Sequence, residues 1–255
     1  MTVRIRRSAV VASAAVAAVT LFAAGCGADA GDDKEPENRS FALEGRTLTV
    51  DSDDSALELV AADVDEVKVT RWFQGKVVVG DDPKVTWAMK DDKLTLRMKC
   101  SGMVTGCSAK HRIEVPRGIA VTVKDGDGSI RASGFKEALN VRTGDGSVRV
   151  EDSSGPLTLH TGDGSVTATD VGSRRVDVHT QDGSVRLGLA AVPDRVASSS
   201  QDGSVTIELP AEATYRVKAK TGDGSVDVSV PRDEHSAHEV SAETRDGKVT
   251  VRTAN

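Results

Sequence analysis

The sequence predicts an all-β protein, a parallel β-solenoid winding about 18–23 residues per coil, and three observations carry that expectation. A short bend motif recurs seven times through the C-terminal half. Apolar and polar residues alternate on both sides of each bend, as strands with one buried face require. The composition is that of strands and turns, with 24 glycines and only 3% aromatic residues.

Taken from the N-terminus, residues 1–25 read as an export leader. Arg4, Arg6 and Arg7 form a basic start, Ala9 to Ala24 is an apolar to weakly polar run, and Ala23-Ala24-Gly25 precedes Cys26. Small residues before a cysteine at the end of such a run are similar to a bacterial lipobox. That resemblance implies that Cys26 is lipidated, with palmitate among the acyl chains, and becomes the new N-terminus and membrane anchor. Ala23 stands where that pattern favours leucine. An ordinary secretory leader with a chance cysteine is the alternative; the run is short and alanine-rich for a spanning helix. Residues 26–40 are polar and acidic with no apolar period, and read as a flexible tether.

Residues 41–120 alternate as β but lack the bend motif, and Trp72, Phe73 and Trp87 concentrate there. Strands are expected at 47–50, 57–60, 67–72, 84–89, 93–99 and 112–115. The segment reads as irregular leading coils or a cap, with a separate small sandwich as the other possibility. With Cys26 assigned to the anchor, Cys100 and Cys107 are left as an even pair in an oxidising compartment, which favours a disulfide. Closing so small a loop stabilises by about 2.5 kcal/mol in the chain-entropy view. A metal site there would need more ligands than His111 supplies.

Residues 121–255 carry the regular solenoid. The bends are DGDGSI at 125–130, TGDGSV at 143–148 and 161–166, TQDGSV at 180–185, SQDGSV at 200–205, TGDGSV at 221–226 and TRDGKV at 244–249. Their aspartates Asp127, Asp145, Asp163, Asp182, Asp202, Asp223 and Asp246 are spaced by 18, 18, 19, 20, 21 and 23 residues. Ile130, Val148, Val166, Val185, Val205, Val226 and Val249 follow the bends, and Val121, Leu139, Leu157, Val176, Val196, Val217 and Val240 precede them. One coil cannot bury its own apolar face, so coils are expected to stack with strands in parallel. A meander of hairpins also uses Asp-Gly turns, but it does not account for a repeated strand–bend–strand unit. Right-handed winding is the default. The invariant bend glycines read as positions of positive φ. The length changes fall in the return segments, from 133–138 to 231–239. Lys248, replacing the serine of the other bends, reads as an edge-blocking charge on a terminal coil.

From Ile113-Glu-Val-Pro-Arg-Gly-Ile-Ala-Val-Thr-Val123 into the Gly-Ser-Ile and Gly-Ser-Val bends, the chain resembles the bacterial family named "putative adhesin". The resemblance spans about 41–251. It implies a β-solenoid held at the cell envelope and specifies no chemistry.

The net charge of −6 is dispersed, which gives no nucleic-acid signal. Stacked bend aspartates ~4.8 Å apart repel by about 0.9 kcal/mol per neighbour in water. Bend hydrogen bonds and screening answer that repulsion, as would a Ca²⁺ ladder, but the glycine and aspartate placement of calcium-binding repeats is absent. No cofactor is expected. Outward positions put Lys124, Arg142, His160, His179 and Lys220 on one sheet and Arg131, Arg149 and Arg186 on the other. These form a candidate face for an anionic wall polymer or an envelope protein; a solvated face balancing the aspartates is the plainer reading. His235 and His238 lie with Asp233 and Glu234 in the longest return loop, at a spacing that could hold a metal, and are read in preference as part of a solvated loop. No nucleophile–histidine set or phosphate-cradling loop before a helix is found. The sequence therefore points to a non-catalytic, lipid-anchored envelope module that is adhesin-like or a scaffold. A self-assembling structural solenoid and a carbohydrate-active enzyme are the rivals.

Overall fold

A computed structural model describes residues 33–79, 81–101 and 103–254. Cys26, the leader and the first part of the tether lie outside the described residues. Among those described there is no helix, and 21 strands form two facing sheets around one core.

The leading strands are β1 (Glu37–Phe41), β2 (Thr47–Ser52), β3 (Ala56–Ala62), β4 (Val67–Val79), β5 (Lys84–Lys90), β6 (Lys93–Lys99) and β7 (Met103–Pro116). The repeats add β8 (Ala120–Lys124), β9 (Ile130–Ser133), β10 (Leu139–Thr143), β11 (Val148–Glu151), β12 (Leu157–Thr161), β13 (Val166–Val171), β14 (Arg175–Thr180) and β15 (Val185–Leu189). They continue as β16 (Arg195–Asp202), β17 (Val205–Leu209), β18 (Arg216–Asp223), β19 (Val226–Ser229), β20 (Glu239–Asp246) and β21 (Val249–Thr253).

Within the repeats each strand before a bend joins one sheet and each strand after it joins the other, so one coil contributes one rung to both. All repeat pairings are parallel, and they keep one register apart from a shift between Ala168 and Val171 where β13 meets β15: Val121 meets Leu139, Leu139 meets Leu157, and Val148 meets Val166. The inward columns are buried, as alternation requires; Val123, Val141 and Leu159 are wholly inaccessible. Each such side chain stabilises by roughly 1.5–3 kcal/mol relative to exposure.

The bends show why glycine recurs there. A Cβ on Gly146 would run into the carbonyl of Gly128 one rung below, and Gly164 meets Gly146 in the same way. Positive φ occurs at only two of the seven, Gly224 and Gly247, both at 147°. The expectation of positive φ is thus corrected: close approach of stacked backbones excludes a side chain. Beside the glycines runs a column of buried hydroxyls absent from the sequence reading. Thr143, Thr161, Thr180, Ser200 and Thr244 donate to glycine carbonyls of the adjoining rung, at 2.9 Å for Thr161 to Gly146 and 2.8 Å for Thr244 to Gly203.

The rungs do not follow chain order at the ends. The sheets run β1-β4-β7-β3-β9-β11-β13-β15-β17-β21-β19 and β18-β20-β16-β14-β12-β10-β8-β2-β6-β5. The last coil, β20 and β21, is inserted between the β16/β17 rung and the β18/β19 rung. Val240 pairs with Val196 on one side and Val217 on the other. Lys248 is therefore not terminal, which corrects its reading as a cap; its ammonium lies 3.7 Å from Asp227 of the true end rung. The open strand β18 instead carries Arg216, Lys218 and Lys220, the charges an unpaired edge needs. Val226 in β19 is 44% exposed. The long returns at 210–215 and 230–238 carry the chain past one rung and back. Tyr215 closes the first, fully buried, with its hydroxyl donating to the Pro210 carbonyl at 2.7 Å.

The leading segment mirrors this. β2 and β3 pair in parallel with β8 and β9, and on their other sides with β6 and β7. Thus Leu48 meets Val121, Leu57 meets Ile130 and Val50 meets Leu94, and one core runs through both segments. β4 and β5 then pack antiparallel on β7 and β6. β1 lies antiparallel on β4, so Glu37 to Ser40 are strand rather than tether. Arg71 holds this edge, bonding Glu37 at 2.7 Å with its guanidinium 4.3 Å above the Trp87 ring. Cys100 and Cys107 are disulfide-bonded with their Cα atoms 6.6 Å apart.

Candidate functional site: cationic rows on two opposite faces

Because parallel register repeats one sequence position in every rung, an outward residue becomes part of a row along the stack. The candidate basic residues therefore split between two faces.

On one sheet the row reads Arg112, Glu58, Arg131, Arg149, Thr167, Arg186 and Thr206. Arg131 and Arg149 are direct neighbours, and Arg186 is two rungs further, beyond Thr167. Glu58 is engaged by Arg112 at 2.7 Å and Lys110 at 3.2 Å. Arg149 sits 3.8 Å from Glu151 on its own strand. Arg131 makes no ion pair among the described residues. The two exposed guanidiniums border a depression of about 410 Å³ whose lining includes Glu58, Ser133 and Glu151. Side-by-side guanidiniums offer forked donors that fit carboxylate or phosphate oxygens.

On the opposite sheet the row reads Asp51, Lys124, Arg142, His160, His179, Ser199 and Glu243. Asp51 is bound by Lys93 and by Arg97 at 2.7 Å, which together hold its carboxyl below the usual range. The His160 and His179 rings lie 5.9 Å apart, and His179 Nδ1 is 2.9 Å from the Ser199 hydroxyl.

The bend aspartates stack as expected, with Asp246 between Asp202 and Asp223. Arg245 bonds Asp202 at 3.0 Å and Asp246 at 3.3 Å and lowers the Asp202 pKa. Among the described residues no three His, Cys, Asp or Glu side chains converge at metal-binding distance. His235 and His238 diverge. His235 is exposed, whereas His238 is half-buried and places Nδ1 2.8 Å from the Pro193 carbonyl, which corrects the solvated-loop reading.

Two buried titratable groups escaped the sequence reading. Asp125 occupies the place in the hydroxyl column that threonine or serine fills in the other coils, and both its carboxyl oxygens are buried without a hydrogen-bond partner. Burial pushes it up to about 7; Asp54 and Asp127 add to the shift, and the nearby Ser52 hydroxyl and Gly128 amide oppose it. His111, in register with Leu57 and Arg71, is fully buried with neither ring nitrogen partnered. Burial and then the Arg71 charge bring it down to about 4. The first departure was visible as Asp-Gly-Asp-Gly where the other bends begin with Thr or Ser; nothing in the sequence marks the second.

Solved structures similar to the chain include a putative cell adhesion protein from Clostridium sporogenes, 16% identical, covering 86% of this chain and 100% of its own at a TM-score of 0.40. A putative adhesin from Parabacteroides merdae is 13% identical over 87% of this chain and 97% of its own, with a TM-score of 0.47. A putative adhesin from Bacteroides fragilis is 12% identical, covering 87% and 98%, at 0.37. No curated protein matches the chain. The model of the Toastrack DUF4097 family matches residues 30–255, well over half of the sequence, and the chain belongs to that family.

Proposed function

We propose that the chain is a non-catalytic envelope module, anchored through lipidated Cys26, which holds an anionic wall polymer or acidic envelope partner against the Arg131–Arg149 face. The reading takes the stack as a right-handed solenoid of about 18–23 residues per coil. The observation that carries it is the direct register of Arg131 with Arg149, beside a depression lined by Glu58, which Arg112 and Lys110 engage, and by Glu151, 3.8 Å from Arg149. A flat, rigid array of strands presents such a row without reorganisation, which favours recognition of an extended polymer over chemistry on a small substrate.

The test is co-sedimentation of the full chain with purified anionic wall polymer. Arg131→Glu/Arg149→Glu is expected to weaken binding about tenfold or more, with a shallower salt dependence. Unchanged binding in the double variant, or release of reducing ends from the polymer, would overturn the reading.

A second reading, end-to-end assembly, draws on the exposed Val226 at the open end rung. Against it, both open edges of one sheet are basic, with Arg216, Lys218 and Lys220 at one end and Lys84 and Lys90 at the other. Concentration-dependent oligomers in light scattering, dissolved by Val226→Lys, would favour assembly.

A further inference from the structure

The sheet opposite Arg131 and Arg149 carries a row that differs from theirs in one respect: half of it is imidazole, the side chain used for charge switching in the physiological pH range. Lys124, Arg142, His160 and His179 succeed one another across β8, β10, β12 and β14 with no break in register. Lys124 and Arg142 are exposed and the two imidazoles half-buried. Two residues on from each member of the row lie Gly126, Gly144 and Gly162 and, after His179, the exposed Gln181. Two residues before lie Thr122, Asn140 and Thr158, then Asp177.

We propose that Lys124, Arg142, His160 and His179 form a second anion-binding row that takes a linear phosphate-bearing polymer along the stack and tightens on it as the medium acidifies. The site is independent of the Arg131–Arg149 face.

The charges facing the imidazoles set the sign. His160 is met by Arg142 from β10 and by His179 and Asp177 from β14; β16 presents the uncharged Ala197 and Ser199 to β14. The exposed bend aspartates Asp145 and Asp163 flank the row. Burial lowers the His160 pKa, Arg142 and His179 lower it further, and Asp177 opposes. His160 Nδ1 is buried with no partner. A bound phosphate oxygen beside Arg142 and His160 removes the cation–cation repulsion, so binding and proton uptake favour each other. Rungs ~4.8 Å apart let an extended polyanion meet each cation in turn. The row is interrupted where Ser199 and then Glu243 replace the basic residues, and Lys220 lies beyond them on the end rung.

The experiment is fluorescence anisotropy of labelled inorganic polyphosphate titrated with the detergent-solubilised full chain at about pH 8 and about pH 5.5, at constant ionic strength. The Kd is expected to fall about tenfold or more on acidification. His160→Gln/His179→Gln should abolish that fall, and Arg131→Glu/Arg149→Glu should leave it intact. His160→Lys/His179→Lys, which fixes the charge, should bind at the higher pH as tightly as the parent at the lower one. Equal affinity at both pH values overturns the proposal, as does a pH response that survives the glutamine pair, one that vanishes with the arginine pair, or binding to phosphatidylglycerol vesicles with none to polyphosphate.

Discussion

The middle of the stack and its two ends are built by different rules. From β8 to β17 each rung lies on the one before it in sequence, and every pairing is parallel. At the C-terminal end the chain passes over a vacant rung position, lays down the outer rung β18/β19 and fills the gap with β20/β21; at the other end it begins on the inner rung β2/β3, builds β6/β7 outside it and returns past it to β8/β9. The middle shows that repetition suffices to set register. The ends show that repetition does not set order, because any rung with the same inward columns stacks acceptably on any other.

The sharpest way to break that contrast is truncation. Removing residues 239–255 takes away the only rung through which β18/β19 is joined to β16/β17. A chain ending at residue 238 is therefore expected to be no more stable than one ending at 209, despite its additional residues. Either loss amounts to several kcal/mol, on the order of the burial of Val240, Ala242, Val249 and Val251 at ~1.5–3 kcal/mol for each valine. Urea unfolding of the two truncations compares them, and a chain ending at 238 that is clearly the more stable sinks the intercalated order.

Core substitutions sharpen the same comparison. Leu159→Ala, in the middle, is expected to cost about 2–5 kcal/mol. Val228→Ala, half-buried on the end rung, should cost below about 1 kcal/mol. Similar costs at both positions would mean that the end is covered in solution.

His111 and Asp125, both near the leading end, make stability depend on pH in opposite senses. His111 has its pKa lowered from 6.5 to about 4 in the fold, so the unfolded chain binds more protons between those values and stability drops as pH falls through that window. Asp125 has its pKa raised from 3.8 to about 7, so its contribution is complete below about pH 4 and is lost as pH rises toward about 7. The shifts correspond to about 3 kcal/mol for His111, and to about 2 kcal/mol for the less deeply buried Asp125 after solvent screening. The parent is therefore expected to show a shallow profile across the window. His111→Leu should leave stability that falls with rising pH, and Asp125→Thr should leave stability that rises with it. Parallel profiles for the two variants would refute the opposition.

The smallest effect expected is at the open edge. Lys218→Glu/Lys220→Glu should change monomer stability by less than about 0.5 kcal/mol, yet introduce an acidic strand complementary to Lys84 and Lys90 of another copy. Light scattering that stays monomeric in the variant would show that charge is not what guards this edge.

The legible part of the fold was whatever alternation and spacing encode. The columns through Val121, Leu139 and Leu157 and the Arg131–Arg149 adjacency follow from an 18-residue repeat. Rung order was not legible because Val205 meets Val249 in the structure, although Val226 is chemically the same neighbour and comes first in the chain. The lengthened returns were a trace of the crossing, visible as length without direction. Lys248 was misplaced for the same reason: the principle that edges carry charge was sound, but the edge was β18. The candidate cations were found at their positions, whereas the burial of Asp125 and His111 depends on what stacks above and below them, which only the assembled rungs reveal.

The sewn-in C-terminal rung also bears on how the molecule is made. A polypeptide synthesised from its N-terminus can close this end of the stack only after residues 239–253 have emerged, because Val249 and Val251 pair on both sides with strands that precede them in the chain. A product interrupted late in translation would display an unsatisfied strand edge and bare valines, the features that proteases and chaperones recognise. Closure of this end of the stack thereby waits on the synthesis of residues 239–253, whose strand β21 is paired along both flanks from Val249 to Arg252.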